Sequence, residues 1–326
     1  MTRDVKARRR TGSIEKAVDE SYNRAVSKAR ISGHFLLALV TAPLLLGSAC
    51  EKKQPSDTGA MGAVDRASST VDQTPLAGID TTKLDADKQK LFYSLVGSLN
   101  SPCGKGESLR ASFTKDKTCK RAPFAVKYVL ALVEDEAPEA SVREQYASKY
   151  EPKEPPVKLD TSKAPRIGND DAPVRIVELY DYGCHVCQEF KPVVDQVIQQ
   201  HGDKVVFYFL MYPLGKWPDS KSAAQASIAA AQQGKFKEMH AMLFARSPNH
   251  NHEAVTGYAK ELGLDLDKFE AAYTAAATQI DADHAQGEKV GVPGTPTIFF
   301  NDRRYEGPRT QKYLGMWIEE EVAVNR

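Results

Sequence analysis

Several familiar features are missing from this 326-residue chain, and each absence removes a class of function. The main apolar run, Phe35 to Ala49, is broken by Pro43 and falls short of the about 20 residues that a membrane-spanning helix needs. Neither sign of charge dominates: the formal net charge is +1, which gives no whole-chain reason to expect nucleic acid or acidic partners. No internal repeat is visible, so a solenoid or propeller is not indicated. Metal-ligand spacing is also missing. Cys184 and Cys187 have no further ligands at matching spacing, and His250 and His252, flanking Asn251 in a polar stretch, do not make a metal site. The residue after Cys187 is Gln188 rather than His, which excludes c-type haem attachment. Neither a metal nor a bound cofactor is expected.

Cysteine itself is scarce, and its count is odd: five. In an exported protein one of the five must be disposed of differently from the rest. Cys184 pairs with Cys187, and Cys103 with Cys119 as a structural disulfide, whose closed loop contributes about 3 kcal/mol through the unfolded chain. That leaves Cys50, directly after the apolar run and its small residues Gly47-Ser48-Ala49. Residues 1–49 resemble a lipoprotein signal peptide, which implies lipidation of Cys50; the competing reading is an uncleaved anchor. Leu46 stands one place earlier than that pattern usually has its Leu, and a start nearer Val26 would leave a leader of ordinary length.

Composition (41% hydrophobic, 27% charged) allows a buried core, and the length exceeds one small domain. Residues 50–82 are small, polar and free of aromatics, and read as a disordered tether. Helical spacing of Leu91, Phe92, Leu95 and Val96, with further helical stretches at 122–133 and 140–150, makes 83–150 a small helical segment of unassigned role, a packing or spacer element first and a binding element second. Four prolines between Glu151 and Arg166 mark 151–168 as a linker. Residues 169–326 form the last domain: strand 174–182, helix 185–200, strand 204–212, helices within 219–288, strands 296–301 and 303–306 across an Asn301-Asp302 turn, and helix 309–323.

One junction organises that domain. Glu178-Leu179-Tyr180-Asp181-Tyr182-Gly183-Cys184-His185-Val186-Cys187 runs a strand pattern into a paired-cysteine turn at a helix start. Free backbone N–H groups and the positive end of the helix dipole stabilise a thiolate there, lowering its pKa to roughly 3.5–7.5. Cys184, the outer thiol, is the nucleophile on this reading; Cys187, one turn deeper, resolves the mixed disulfide. His185, when protonated, would add to that stabilisation, or is an exposed spacer. Glu178 falls in a strand buried on both faces, where a carboxylate needs either a partner such as Lys or Tyr, or a proton to manage.

Four features in order resemble DsbA-like proteins of the thioredoxin fold: Glu178 six residues before Cys184, Pro192 eight residues after it, the helical stretch Ala223 to Phe244 with Gln233-Gly234-Lys235-Phe236 and His240, and Gly291-Val292-Pro293-Gly294-Thr295-Pro296-Thr297. The resemblance implies an α/β thioredoxin-like fold with a DsbA-type helical insertion. It also implies a cis Pro296 that, with Thr295, borders the substrate, and Glu178 as proton carrier for Cys187. The implied activity is thiol–disulfide exchange with cysteine-containing proteins on the periplasmic side of the cell envelope, the chain held to the membrane by lipid, with a membrane redox partner conceivable and no nucleic acid. The alternatives are a reductase or isomerase, towards which Thr295 leans, and a non-catalytic binding lipoprotein of the same fold.

Overall fold

The computed structural model describes residues 71–325. The signal segment, Cys50 and most of the tether lie outside the described residues. Four helices come first: α1 (Ala86–Ser98), α2 (Leu109–Lys115), α3 (Ala122–Glu134) and α4 (Glu139–Tyr150). Asp85 starts α1 by accepting the Lys88 N–H at 2.8 Å, and Ser108 starts α2 by accepting that of Ala111 at 3.2 Å. Phe92, Leu95 and Val96 of α1 interlock with Val126, Val129 and Leu132 of α3. α2 has no counterpart in the sequence reading, because seven residues burying only Leu109 and Ser112 carry no apolar period. Cys103 and Cys119 are bonded, tying the loop before α2 to the loop before α3.

Two assignments need correction. Residues 71–82 are not tether: Leu76 is buried in the helical core, and Arg110 holds Asp72 at 2.8 Å and the Thr74 carbonyl at 2.5 Å. Nor is 151–168 a plain linker. Leu159 and Ala164 are buried, the Val157 N–H bonds the Asp302 carbonyl at 2.7 Å, and β1 (Arg166–Gly168) is an edge strand of the sheet. Proline density marked an irregular chain path, and that path is docked.

The sheet adds β2 (Val174–Tyr180), β3 (Val205–Met211), β4 (Thr297–Phe300) and β5 (Arg303–Arg304) in the order β1-β3-β2-β4-β5. β2 and β3 are parallel, joined by α5 (His185–His201); β1, β4 and β5 run antiparallel to their neighbours. Asn301 and Asp302 both take positive φ, 43° and 69°, the geometry a tight hairpin between β4 and β5 requires. Between β3 and β4 lies the helical insertion: α6 (Ser220–Gln232), α7 (Phe236–Ala245), α8 (His252–Glu261) and α9 (Leu266–Lys289). Small residues, among them Ala223, Ala226 and Ala230 of α6 and Ala272 and Ala276 of α9, let the two helices approach closely. The chain ends on α10 (Gln311–Val324).

Strand alternation divides the sheet's side chains between two cores. Ile176 and Tyr180 of β2 share one face with Phe207, Phe209, Ile298 and Phe300, under α5, the insertion and α10. Val177 and Leu179 face the other way with Leu210 and Phe299, covered by Leu159 and Ala164. Register sets Glu178 between Phe209 and Ile298, on the α5 face.

Candidate active site

β2 ends at Tyr180, two residues earlier than its apolar pattern suggests, and Asp181 to Gly183 turn the chain into α5. Asp181 builds that turn. Its buried carboxylate accepts the Gly183 N–H and, from the loop after β3, the Leu214 N–H, each at 2.8 Å, and its carbonyl accepts the Cys184 N–H at 3.1 Å. Glycine is required at 183: a Cβ would stand 2.6 Å from Ser220 Oγ and 2.7 Å from the Trp217 side chain. Cys184 is the N-cap residue of α5 and Cys187 lies in its first turn.

Both thiols are free, and both are buried: Cys184 keeps 5% of its surface and Cys187 1%. Cys184 is therefore less open than a first-turn position suggests, because the loop before β4 lies over it. The Cys184 Sγ is 3.5 Å from the Thr295 carbonyl oxygen, and the Thr295–Pro296 peptide is cis. The two thiols are driven apart electrostatically. The Cys187 thiol, the Thr295 hydroxyl and the backbone N–H groups of Cys187 and Val186 stabilise a Cys184 thiolate and lower it to about 5, against the effect of burial. Burial pushes Cys187 far up, and the neighbouring Cys184 and the charge of Glu178 push the same way.

Burial also raises Glu178 to about 8, only partly offset by Arg309 and Lys191. Its carboxyl forms no ion pair among the described residues; Lys191 pairs instead with Asp195 at 2.5 Å. The structural alternative of a Lys or Tyr partner is thus not what surrounds Glu178. His185 is exposed and is not among the groups that lower Cys184. Pro192 lies inside α5.

Other groups at this site carried little sequence signal. Beneath the turn, the Tyr180 hydroxyl donates to that of Tyr182 at 2.8 Å. Tyr182 is left to donate to His240 Nδ1 at 3.0 Å, which makes His240 an acceptor; burial holds it neutral, down at about 3. Gln188 of α5 donates to the Phe244 carbonyl at 3.1 Å, fastening the insertion to the active-site helix. Asp181 beside the cysteine turn was the readable clue, as an Asp that closes a local turn; His240 entered the sequence reading only through the resemblance of its helical stretch, and Trp217, in the loop after β3, had no signal. His250 donates its Nε2–H to the Leu243 carbonyl at 2.7 Å as a buried packing group, His201 is buried at the end of α5, and no metal-binding cluster occurs among the described residues.

Residues 160–320 match a protein-family model described as Thioredoxin. A Na(+)/H(+) antiporter NhaA 1 of Mycobacterium sp. is 36% identical over 146 residues, 43% of this chain and 24% of that protein. An NhaA 3 antiporter of Salinispora tropica is 35% identical over 155 residues, 47% of this chain and 24% of that one. The chain thus spans about a quarter of the length of these curated relatives. Among solved structures, oxidised BdbD of Bacillus subtilis is 25% identical, with a TM-score of 0.47, covering 51% of this chain and 97% of that one. A thioredoxin-like oxidoreductase of Silicibacter pomeroyi is 31% identical, with a TM-score of 0.42, covering 50% and 91%. The family match spans the sheet, the cysteine turn and α5, and four helices are inserted between β3 and β4, so residues 160–320 have a thioredoxin-like α/β fold with a helical insertion.

Proposed function

We propose that the chain is a thiol–disulfide oxidoreductase that exchanges disulfides with cysteine-containing proteins outside the cytoplasm. The observation that carries this reading is the opposed environment of the two thiols: Cys184 lowered to about 5 at a helix N-terminus, Cys187 raised by burial. In the reducing direction, the Cys184 thiolate attacks one sulfur of a substrate disulfide, and the other substrate sulfur leaves as a thiolate. Cys187 then gives its proton to the Glu178 carboxylate and attacks the Cys184 sulfur. The second substrate thiolate leaves, and Cys184 and Cys187 end as a disulfide. Run backwards, the same steps oxidise a substrate dithiol. A stabilised Cys184 thiolate favours the reduced enzyme and so makes the pair more oxidising than one with an ordinary thiol at this position. No bound cofactor enters these steps. Lipidation at Cys50 would hold the domain at the envelope membrane.

The test is trapping. Cys187→Ser should accumulate substrate proteins as mixed disulfides through Cys184, and Cys184→Ser far fewer, on non-reducing gels of cells expressing each variant. Equal trapping by both variants overturns the assignment of nucleophile. Trapping by neither favours a binding protein that has kept the fold.

A further inference from the structure

Beside the cysteine turn lies a cavity of about 320 Å³, walled by Pro213, Trp217, Pro218 and Ile280, with Ser220 and His284 in its lining. This volume is at the lower end of ligand pockets, suited to a side chain rather than a large cofactor. Its position follows from Gly183. Trp217 stands 2.7 Å from where a Gly183 Cβ would be, and Ser220 Oγ 2.6 Å. Adding one Cα–Cα step of about 3.8 Å puts Trp217 within about 8 Å of the Cys184 Cα. An extended polypeptide advances about 3.3 Å per residue. A chain bonded through its cysteine to Cys184 therefore brings its first or second neighbouring residue to Trp217.

The lining selects the chemistry. Its charged side chains neutralise each other, Lys221 Nζ to Asp281 Oδ1 at 2.9 Å, and the His284 ring lies flat on Tyr212 with centroids 4.3 Å apart. No unpaired charge is left to attract an ion, whereas Trp217 is partly exposed and apolar. Resting on the exchange activity proposed above, we infer that this cavity is a specificity pocket, in which Trp217 receives an aliphatic or aromatic side chain one or two residues from the reacting cysteine of the substrate polypeptide.

The chain has two tryptophans, and the other, Trp317, is 2% exposed, so iodide quenching of fluorescence reports Trp217. The probes are five-residue peptides with a central cysteine, all other positions Gly or a single Leu at one of the four, joined as mixed disulfides to Cys184 of the Cys187→Ser protein. One Leu position is expected to cut the quenching constant about threefold relative to the all-Gly peptide. The same peptide, presented as a disulfide to the wild-type protein, should react about tenfold faster, the scale of one apolar side chain in a pocket. In Trp217→Ala the Leu-to-Gly rate ratio should fall to within about twofold; being a ratio, it is normalised against any general loss of activity. Quenching and rates alike for all peptides, with the mixed disulfides formed, overturn the pocket while exchange stands. If no mixed disulfide forms with any peptide, the exchange activity fails and the pocket falls with it.

Discussion

Replacing Glu178 by Gln separates the two things a buried carboxyl can do. The glutamine keeps the shape and removes the charge. Glu178 is held at about 8 in the fold against an ordinary value of 4.5, with burial as the main cause. Between those pH values the folded state holds a proton that the unfolded chain has released, so the native protein loses stability as pH rises through this window. The full penalty, reached above pH 8, is about 5 kcal/mol at 1.36 kcal/mol per pH unit, an upper bound that relaxation and water entry reduce. At pH 7 the same arithmetic leaves about 3 kcal/mol.

Glu178→Gln avoids that penalty. Its urea midpoint should equal the wild type's near pH 4.5 and exceed it by about 1 M or more at pH 8.5, given slopes of about 1–3 kcal/mol per M. Its chemistry should suffer in the opposite sense, because an amide cannot take the Cys187 proton. Release of a trapped mixed disulfide, followed by stopped flow at pH 7, is expected to slow by about tenfold to a hundredfold, within the range for general base catalysis. A variant that is less stable than wild type at pH 8.5 and equally fast at release would refute both steps, and would mean that the carboxylate has a partner compensating its burial.

Three further outcomes are expected. Thiolate absorbance of the reduced protein should titrate with a midpoint near 5 that disappears in Cys184→Ser; since the pKa is lowered on folding, stability of the reduced form relative to the disulfide form should rise with pH between about 5 and the ordinary thiol value of 9, this contribution being lost as pH falls to 5 and flat below it. Mass spectrometry of the mature protein should find Cys50 at its N-terminus, carrying lipid; an intact leader, or a free Cys50 thiol, would contradict this. Glu320→Leu should destabilise the protein to urea by about 3–5 kcal/mol, because it strands the buried Lys149 ammonium; a change under 1 kcal/mol would show that the contact is dispensable.

The sequence was most informative where local chemistry and period agree. β2 and α5 could be read because Val174, Ile176 and Tyr180 alternate and Phe190, Val194 and Val197 recur in helical spacing, and because a cysteine pair fell at their junction. Glu178 stood out as a carboxylate inside an apolar strand, and the structure places it on the face that turns towards Cys187. Asp181 is local to the cysteine turn, but the Leu214 N–H that it holds comes from 33 residues further on, and Thr295 meets Cys184 from 111 residues away. No local pattern encodes such meetings; they follow from the sheet register. The helical insertion was visible as alanine-rich spacing, but its use of His240 as the base of a tyrosine chain depends on a buried tertiary contact.

The N-terminal helices illustrate the same limit from the side of stability. They read as a small helical segment, a packing or spacer element first, and they share α10 with the thioredoxin-fold domain. Leu314, Ile318 and Val322 of that helix close the domain core, while its Tyr313 is part of the core of α1 and α3. Between these surfaces Glu320 accepts from Arg121 at 2.7 Å, from the Tyr150 hydroxyl at 2.9 Å, and faces Lys149 Nζ at 2.9 Å; Lys149 in turn lies 3.5 Å over the Trp317 ring. Burial lowers Lys149 to about 8 despite Glu320, so much of what the pair gains is offset by desolvation. A charge set that expensive specifies one docking geometry rather than adding stability over an apolar contact. The helices are thereby fixed to the end of the domain that α10 forms, and the cysteine turn stays framed by the loops carrying Trp217 and Thr295.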